Sequence, residues 1–199
     1  MSEKQAERLQ KLVENPNLSD WERGFITSVN SYFQTHGRMS NKQWSVVQKV
    51  EANYSPEVIA QRQVWKDSWC EEQQFQWQTA LKYYSANPPY YQVEVARYED
   101  GGIPSEKEYR KLVDNKYVQN VIATIKAEPL YSIGSLVQVR KTAKAGYYRL
   151  RNQLALVVDN NGPVTSATKG ARIYSILPFG ESSPIKIQER WLKKKRGGK

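Results

Sequence analysis

Cysteine and histidine are almost missing from this chain: 199 residues contain one of each, Cys70 and His36. A lone cysteine excludes an internal disulfide and fits a reducing compartment. One cysteine and one histidine cannot build a zinc site of the usual Cys/His type within one chain. His36 precedes Gly37 at a helix end, where it complements the helix dipole, so it reads as structural rather than catalytic. Long apolar runs are missing too, and none approaches the roughly 20 residues of a membrane helix. The opening MSEKQAERLQ is polar and charged, unlike a signal peptide. Phosphate-cradling G-x-x-x-x-G-K-[ST], G-x-G-x-x-G and the G-x-S-x-G elbow are all absent. The acids of YEDGG at 98–102 do not have calcium-loop spacing. Glu71/Glu72 and Glu99/Asp100 are adjacent pairs, which point in different directions on a helix and read as solvated charges. The expectation is a protein that is not an enzyme, with no metal, no cofactor and a cytoplasmic location.

Aromatic residues and cations are what the chain has in quantity. Six Trp, 13 Tyr and 4 Phe can bury a core even though hydrophobic residues are only 39% of the total. The net charge of +10 is segregated. Residues 1–125 hold 15 Lys/Arg and 16 Asp/Glu; residues 126–199 hold 15 and 4. The excess positive charge therefore lies wholly in the last 74 residues, and a concentrated basic region attracts polyanions, nucleic acid first among them.

The pattern changes where the charge does. Helix formers fill 3–14, and NPN at 15–17 stops them. Ser19 with Glu22, Ser40 with Gln43 and Ser105 with Glu108 are three capping boxes. The first opens a helix to Gly37 with Trp21, Phe25, Val29 and Phe33 expected on its buried face. In the second, Met39 and Trp44 are placed to staple the helix start. Ser55 and Pro56 start a helix expected to run unbroken to about residue 86, with Cys70 buried in its middle and Trp65, Trp69, Trp77, Leu81 and Tyr84 on one stripe. Pro88 and Pro89 end it, and a short helix follows over 90–99. Leu112, Val113, Tyr117, Val121, Ile122 and Ile125 continue the face after Ser105. The similarity of GRMSNKQW (37–44) and GGIPSEKEY (101–109) is mostly capping grammar, and a duplicated helix–turn–helix unit, over 19–54 and 90–126, stays open.

Residues 127–135 read as a hinge. Beyond it, short β runs at 136–141, 153–159, 171–177 and 184–188 alternate with turn-rich segments. IGSLVQVR and the later IKIQERWLKKK, with Trp191 and Leu192 as apolar anchor, resemble an SH3-like barrel. The expected fold is α+β: an all-α region over 1–126, an SH3-like antiparallel β-barrel over 131–192, and a basic tail over 193–199.

GRMSNKQWSVVQKVEANY, NPPYYQVEV, GGIPSEKEYRKLVDNKYVQNVI and EPLYSIGSLVQVR together resemble small accessory proteins of tailed bacteriophages that join a helical module to a small barrel. The resemblance implies a viral protein in the host cytoplasm and carries no assigned activity.

The candidate binding residues are Arg140, Lys141, Lys144, Arg149 and Arg151 with Tyr147 and Tyr148 between them, then Lys169 and Arg172, and then Lys193, Lys194, Lys195 and Arg196 in the tail. Cations neutralise phosphates and tyrosines stack on bases or pack on sugars. For the tyrosines, packing into the barrel is an equal alternative. No base-reading motif is present. The expected function is non-enzymatic nucleic-acid binding, directed at backbone or shape, with DNA favoured over RNA. The alternatives are a protein-binding regulator of a host enzyme such as the transcription machinery, engaged through the barrel or the Trp-rich helices, and a minor virion component contacting DNA. No membrane role is expected.

Overall fold

The computed structural model describes residues 3–195. Eight α-helices come first: α1 (Glu3–Val13), α2 (Asp20–His36), α3 (Asn41–Asn53), α4 (Pro56–Asp67), α5 (Glu71–Ser85), α6 (Gln92–Arg97), α7 (Glu106–Val113) and α8 (Lys116–Lys126). Five strands follow: β1 (Leu136–Val139), β2 (Leu154–Asp159), β3 (Ile173–Pro178), β4 (Ile185–Gln188) and β5 (Leu192–Lys194). A 3-10 turn (Ala145–Leu150) lies between β1 and β2, and another (Glu189–Trp191) precedes β5. The fold class is α+β. No helix of the described residues is long and apolar enough to cross a membrane.

The chain divides into two compact units, 1–68 and 69–199. The expected boundary at 126–131 thus falls inside the second unit, and the break lies where one long helix was expected. Cys70 is not buried in a helix; it is exposed and precedes α5, with its N–H donated to the Gln73 side chain. Glu71 and Glu72 occupy the first turn of α5, where acids favour the positive end of the dipole.

In the first unit, α1, α2 and α3 enclose a core that includes Leu9, Leu12, Ile26, Val29, Phe33, Val47 and Val50. The capping boxes at Ser19 and Ser40 are both formed, and Gly37 ends α2 at φ 66° in the left-handed region. Met39 and Trp44 pack half-buried against this core. Trp21 does not belong to it: it is 66% exposed and stacks on Phe25. Steps of four overshoot a 3.6-residue turn, so the buried face follows Ile26, Val29 and Phe33 and leaves Trp21 outside. Arg8 of α1 is paired with Glu51 of α3, and Tyr54 donates to Glu22 at 2.7 Å.

In the second unit, α5 packs on α6, α7 and α8. The buried residues of these helices include Trp77, Ala80, Tyr84, Tyr109, Leu112, Val113, Val118, Val121 and Ile122. The helix expected after Ser105 breaks at Asp114, and Asn115 caps α8 by accepting the N–H groups of Tyr117 and Val118. That break turns Tyr117 and Ile125 outward. The third capping box holds, and Glu108 also accepts from Tyr98 at 2.9 Å.

The sheet is antiparallel with strand order β4-β3-β2-β1-β5. It is open rather than a closed barrel. β5 was not expected as a strand: Lys193 and Lys194 pair with Gln138 and Val137 instead of beginning a tail. Val137, Val139, Ala155, Val157, Tyr174, Ile176, Ile187 and Leu192 form its core.

Arg172 joins sheet and helices. Its guanidinium lies 2.5 Å from the carbonyls of Thr124 and Ala127 and 3.2 Å from that of Ile125. These are orphan acceptors at the end of α8, and a cation there also complements the helix dipole. The Arg172 carbonyl accepts the N–H of Glu189, and the Glu189 carboxylate accepts from Tyr174 at 2.8 Å and from the Leu130 N–H. Tyr131 donates its hydroxyl to the Leu192 carbonyl at 3.1 Å. The expected hinge is therefore a fastened strap. Gly170 lets the chain just before Arg172 pass close to the backbone of Arg190, whose N–H its carbonyl accepts. Its φ is 68°, and a Cβ there would sit 2.9 Å from the Cβ of Arg190.

Arg172→Met is expected to cost about 1.5–3 kcal/mol in urea unfolding of the second unit, because charged hydrogen bonds are lost and buried acceptors are left bare. Lys169→Met, an exposed control, is expected to leave the unfolding curve unchanged. An alkaline limit follows from two phenols. Burial, with the hydrogen bond to Glu108, pushes Tyr98 up to about 12. Burial, with the bond to Glu189, does the same for Tyr174. Both folded values lie above the ordinary 10.0, so their contribution is complete below pH 10 and lost as pH rises toward 12. Circular dichroism against pH is expected to show stability falling across that window.

Candidate functional site

The segment 136–195 carries twelve Lys or Arg and three Asp or Glu. The five ion pairs among the described residues all lie at or before Lys126: Arg8–Glu51, Arg97–Glu108, Arg110–Glu106, Lys111–Glu94 and Lys126–Glu72. None of the twelve later cations has a carboxylate within salt-bridge distance among the described residues. Of the three acids, Glu189 accepts from Tyr174 and Leu130, and Asp159 accepts the Asn161 N–H at 3.0 Å.

The loop after β1 gathers most of the expected residues. Arg140 leaves the strand with its N–H bonded to the Trp191 carbonyl at 2.7 Å and its Nε to the Leu192 carbonyl at 2.9 Å. These bonds bring the start of the loop beside β5 and so beside Lys193. Ala143 is fully buried and anchors the turn. Arg151 closes the loop by donating Nε to the Ala143 carbonyl at 2.9 Å. Arg140 and Arg151 thus spend part of their guanidinium groups on the fold. Lys141, Lys144 and Arg149 are exposed around the same turn. Lys193 is half-buried on β5, and Lys194 and Lys195 are exposed at its end.

The two tyrosines separate. Tyr147 packs half-buried against the sheet core and donates to the Lys186 carbonyl at 3.1 Å, which ties the turn to β4. Burial raises its phenol above the ordinary value. Tyr148 is 70% exposed, with the Arg151 guanidinium 5.1 Å from its ring centre. Packing holds for the first and exposure for the second.

Arg172 is the clear correction. It is 5% exposed and occupied by the end of α8, so it offers nothing to a ligand. Lys169 is exposed but stands on a pocket of about 420 Å³ whose walls include Glu128 and Glu189, which weaken its field. Arg196 lies outside the described residues. Lys186 was missed. It is exposed on β4, and the alternation of IKIQ already turns it away from Ile185 and Ile187.

No group of three or more His, Cys, Asp or Glu placed to hold a metal occurs among the described residues. No family model matches the chain, and no curated protein or solved structure is significantly similar to it.

Tyr147→Phe is expected to lower the stability of the second unit by about 0.5–1.5 kcal/mol through loss of one hydrogen bond, whereas Tyr148→Phe is expected to leave it unchanged. Paired urea denaturation curves check this.

Proposed function

We propose that this chain is a non-enzymatic nucleic-acid-binding protein that grips the phosphate backbone with the loop after β1 and the end of β5. The observation that carries this reading is the contrast in charge pairing. Up to Lys126 five of sixteen Lys and Arg are paired with a carboxylate, while none of the twelve in 136–195 is paired among the described residues. Unpaired cations crowded on one small element raise a local potential that suits a polyanion. Lys141, Lys144 and Arg149 supply exposed charges, and Lys193, Lys194 and Lys195 extend them along β5 and just past its end. Arg140, Arg151 and Tyr147 hold the loop in place. DNA is favoured over RNA as the ligand, and the host cytoplasm is the setting that the resemblance to phage accessory proteins implies. The meander with β5 beside β1 and a 3-10 turn before it supports reading the sheet as an SH3-like barrel left open.

Binding to a fluorescein-labelled duplex, single strand and RNA of equal length, followed by anisotropy across a salt series, tests the reading. Log affinity is expected to fall linearly with log salt, by about 0.9 per phosphate contacted on a duplex. The combined variant Lys141→Ala, Lys144→Ala, Arg149→Ala is expected to reduce that slope by roughly two to three. Absent binding at low salt, or affinity indifferent to salt, would falsify it.

A further inference from the structure

A sheet with one solvated face should alternate apolar and polar residues, but this one is aliphatic on both faces. Val137, Val157 and Ile176 point into the core. The opposite face shows Leu136, Leu156 and Leu177, which are register partners across β1, β2 and β3 and so form one continuous row. Leu154 lies beside the row, opposite Gln138, and the bulge after Val157 turns Val158 outward. Leu156 at the centre is 37% exposed, and Val158 is equally so. Aliphatic residues lined up in register on an open face mark an interaction site.

The charges around the row define what fits it. Lys193 on β5 pairs with Gln138, and Lys186 on β4 pairs with Ser175, so lysines border the row at both edges of the sheet. One carboxylate shares the face: Asp159, opposite Ser175, whose oxygen accepts the Asn161 N–H. Beyond Leu136 the row opens into a pocket of about 490 Å³ walled by Leu130, Leu136 and Tyr131 with Lys194 and Lys195, and no acid lines it. A second copy does not suit this surface, because pairing it with itself would set lysine edge against lysine edge. A phosphate backbone has no use for leucines.

We propose that this face docks an acidic segment of another protein, one that lays leucine-sized side chains along the Leu136–Leu156–Leu177 row and sets carboxylates against Lys186, Lys193, Lys194 and Lys195. The aliphatic row supplies burial and the lysines fix sign and orientation. The site shares Lys193, Lys194 and Lys195 with the nucleic-acid reading, but its leucine row and Lys186 stand apart from the loop after β1, and the peptide titration reads them without any nucleic acid.

Two synthetic amphipathic peptides test it, with identical leucine spacing and either Glu or Lys at every polar position. Each is titrated into the ¹⁵N-labelled full chain. The acidic peptide is expected to move the amides of 136–138, 154–158 and 175–177 in a saturable way, and the basic peptide to leave them in place. Leu156→Glu, and the milder Leu156→Ser should the first perturb the sheet, are expected to weaken binding at least about tenfold. The proposal is overturned if the acidic peptide shifts nothing at millimolar concentration, if both peptides bind alike, if the shifts fall on the helices, or if the free chain self-associates through these same amides.

Discussion

The second unit depends on one buried cation. A guanidinium from the residue before β3 takes up three carbonyls at the end of α8, and without it those acceptors would meet the sheet unsatisfied. The other links follow from this fixed point. Arg172 accepts the N–H of Glu189 through its own carbonyl, and Glu189 in turn holds Tyr174 and Leu130. Tyr131 then reaches the Leu192 carbonyl and secures β5. Asn87, just beyond α5, adds a second tie by donating to the Thr165 carbonyl at 2.9 Å. A segment that reads as a hinge becomes part of one packed body, and the basic loop after β1 rests on a firm base.

Charge is handled differently on the two kinds of structure. Helices place acids and bases three or four residues apart or across a helix pair, so local pairing comes readily, as in Arg110–Glu106 and Lys126–Glu72. The sheet has only three acids among its cations, and two of those are engaged by N–H or hydroxyl donors. Its cations therefore divide by role. Arg172, and in part Arg140 and Arg151, serve the backbone, and the lysines with Arg149 remain available. The tyrosines divide likewise, Tyr147 as a strut to β4 and Tyr148 as an open ring beside Arg151.

Local features of this fold were legible in the sequence. The caps at Ser19, Ser40 and Ser105 form because each needs only residues three positions apart. Most of the strands lie within a few residues of their expected places for a similar reason, since alternation is a short-range signal. What was hidden is tertiary. The tryptophans keep helical spacing through 65–77 although the chain breaks at Ser68–Cys70, and only the acids after Cys70 hinted at a new helix start. Lys193 and Lys194 look like a tail, because nothing local says that β1 needs a neighbour on its free edge. Arg172 has the same sequence character as its exposed neighbours, and its partners lie 45–48 positions away.

The cations of the loop after β1 and of β5, which have no carboxylate partner among the described residues, form the proposed nucleic-acid surface. Lysine acetylation footprinting of the full chain, with and without a saturating duplex at low salt, tests it most directly. Lys141, Lys144, Lys193, Lys194 and Lys195 are expected to be protected while Lys11, Lys42 and Lys49 in the first unit react as before. Protection confined to the first unit, or an unchanged pattern while the duplex is bound, would contradict it.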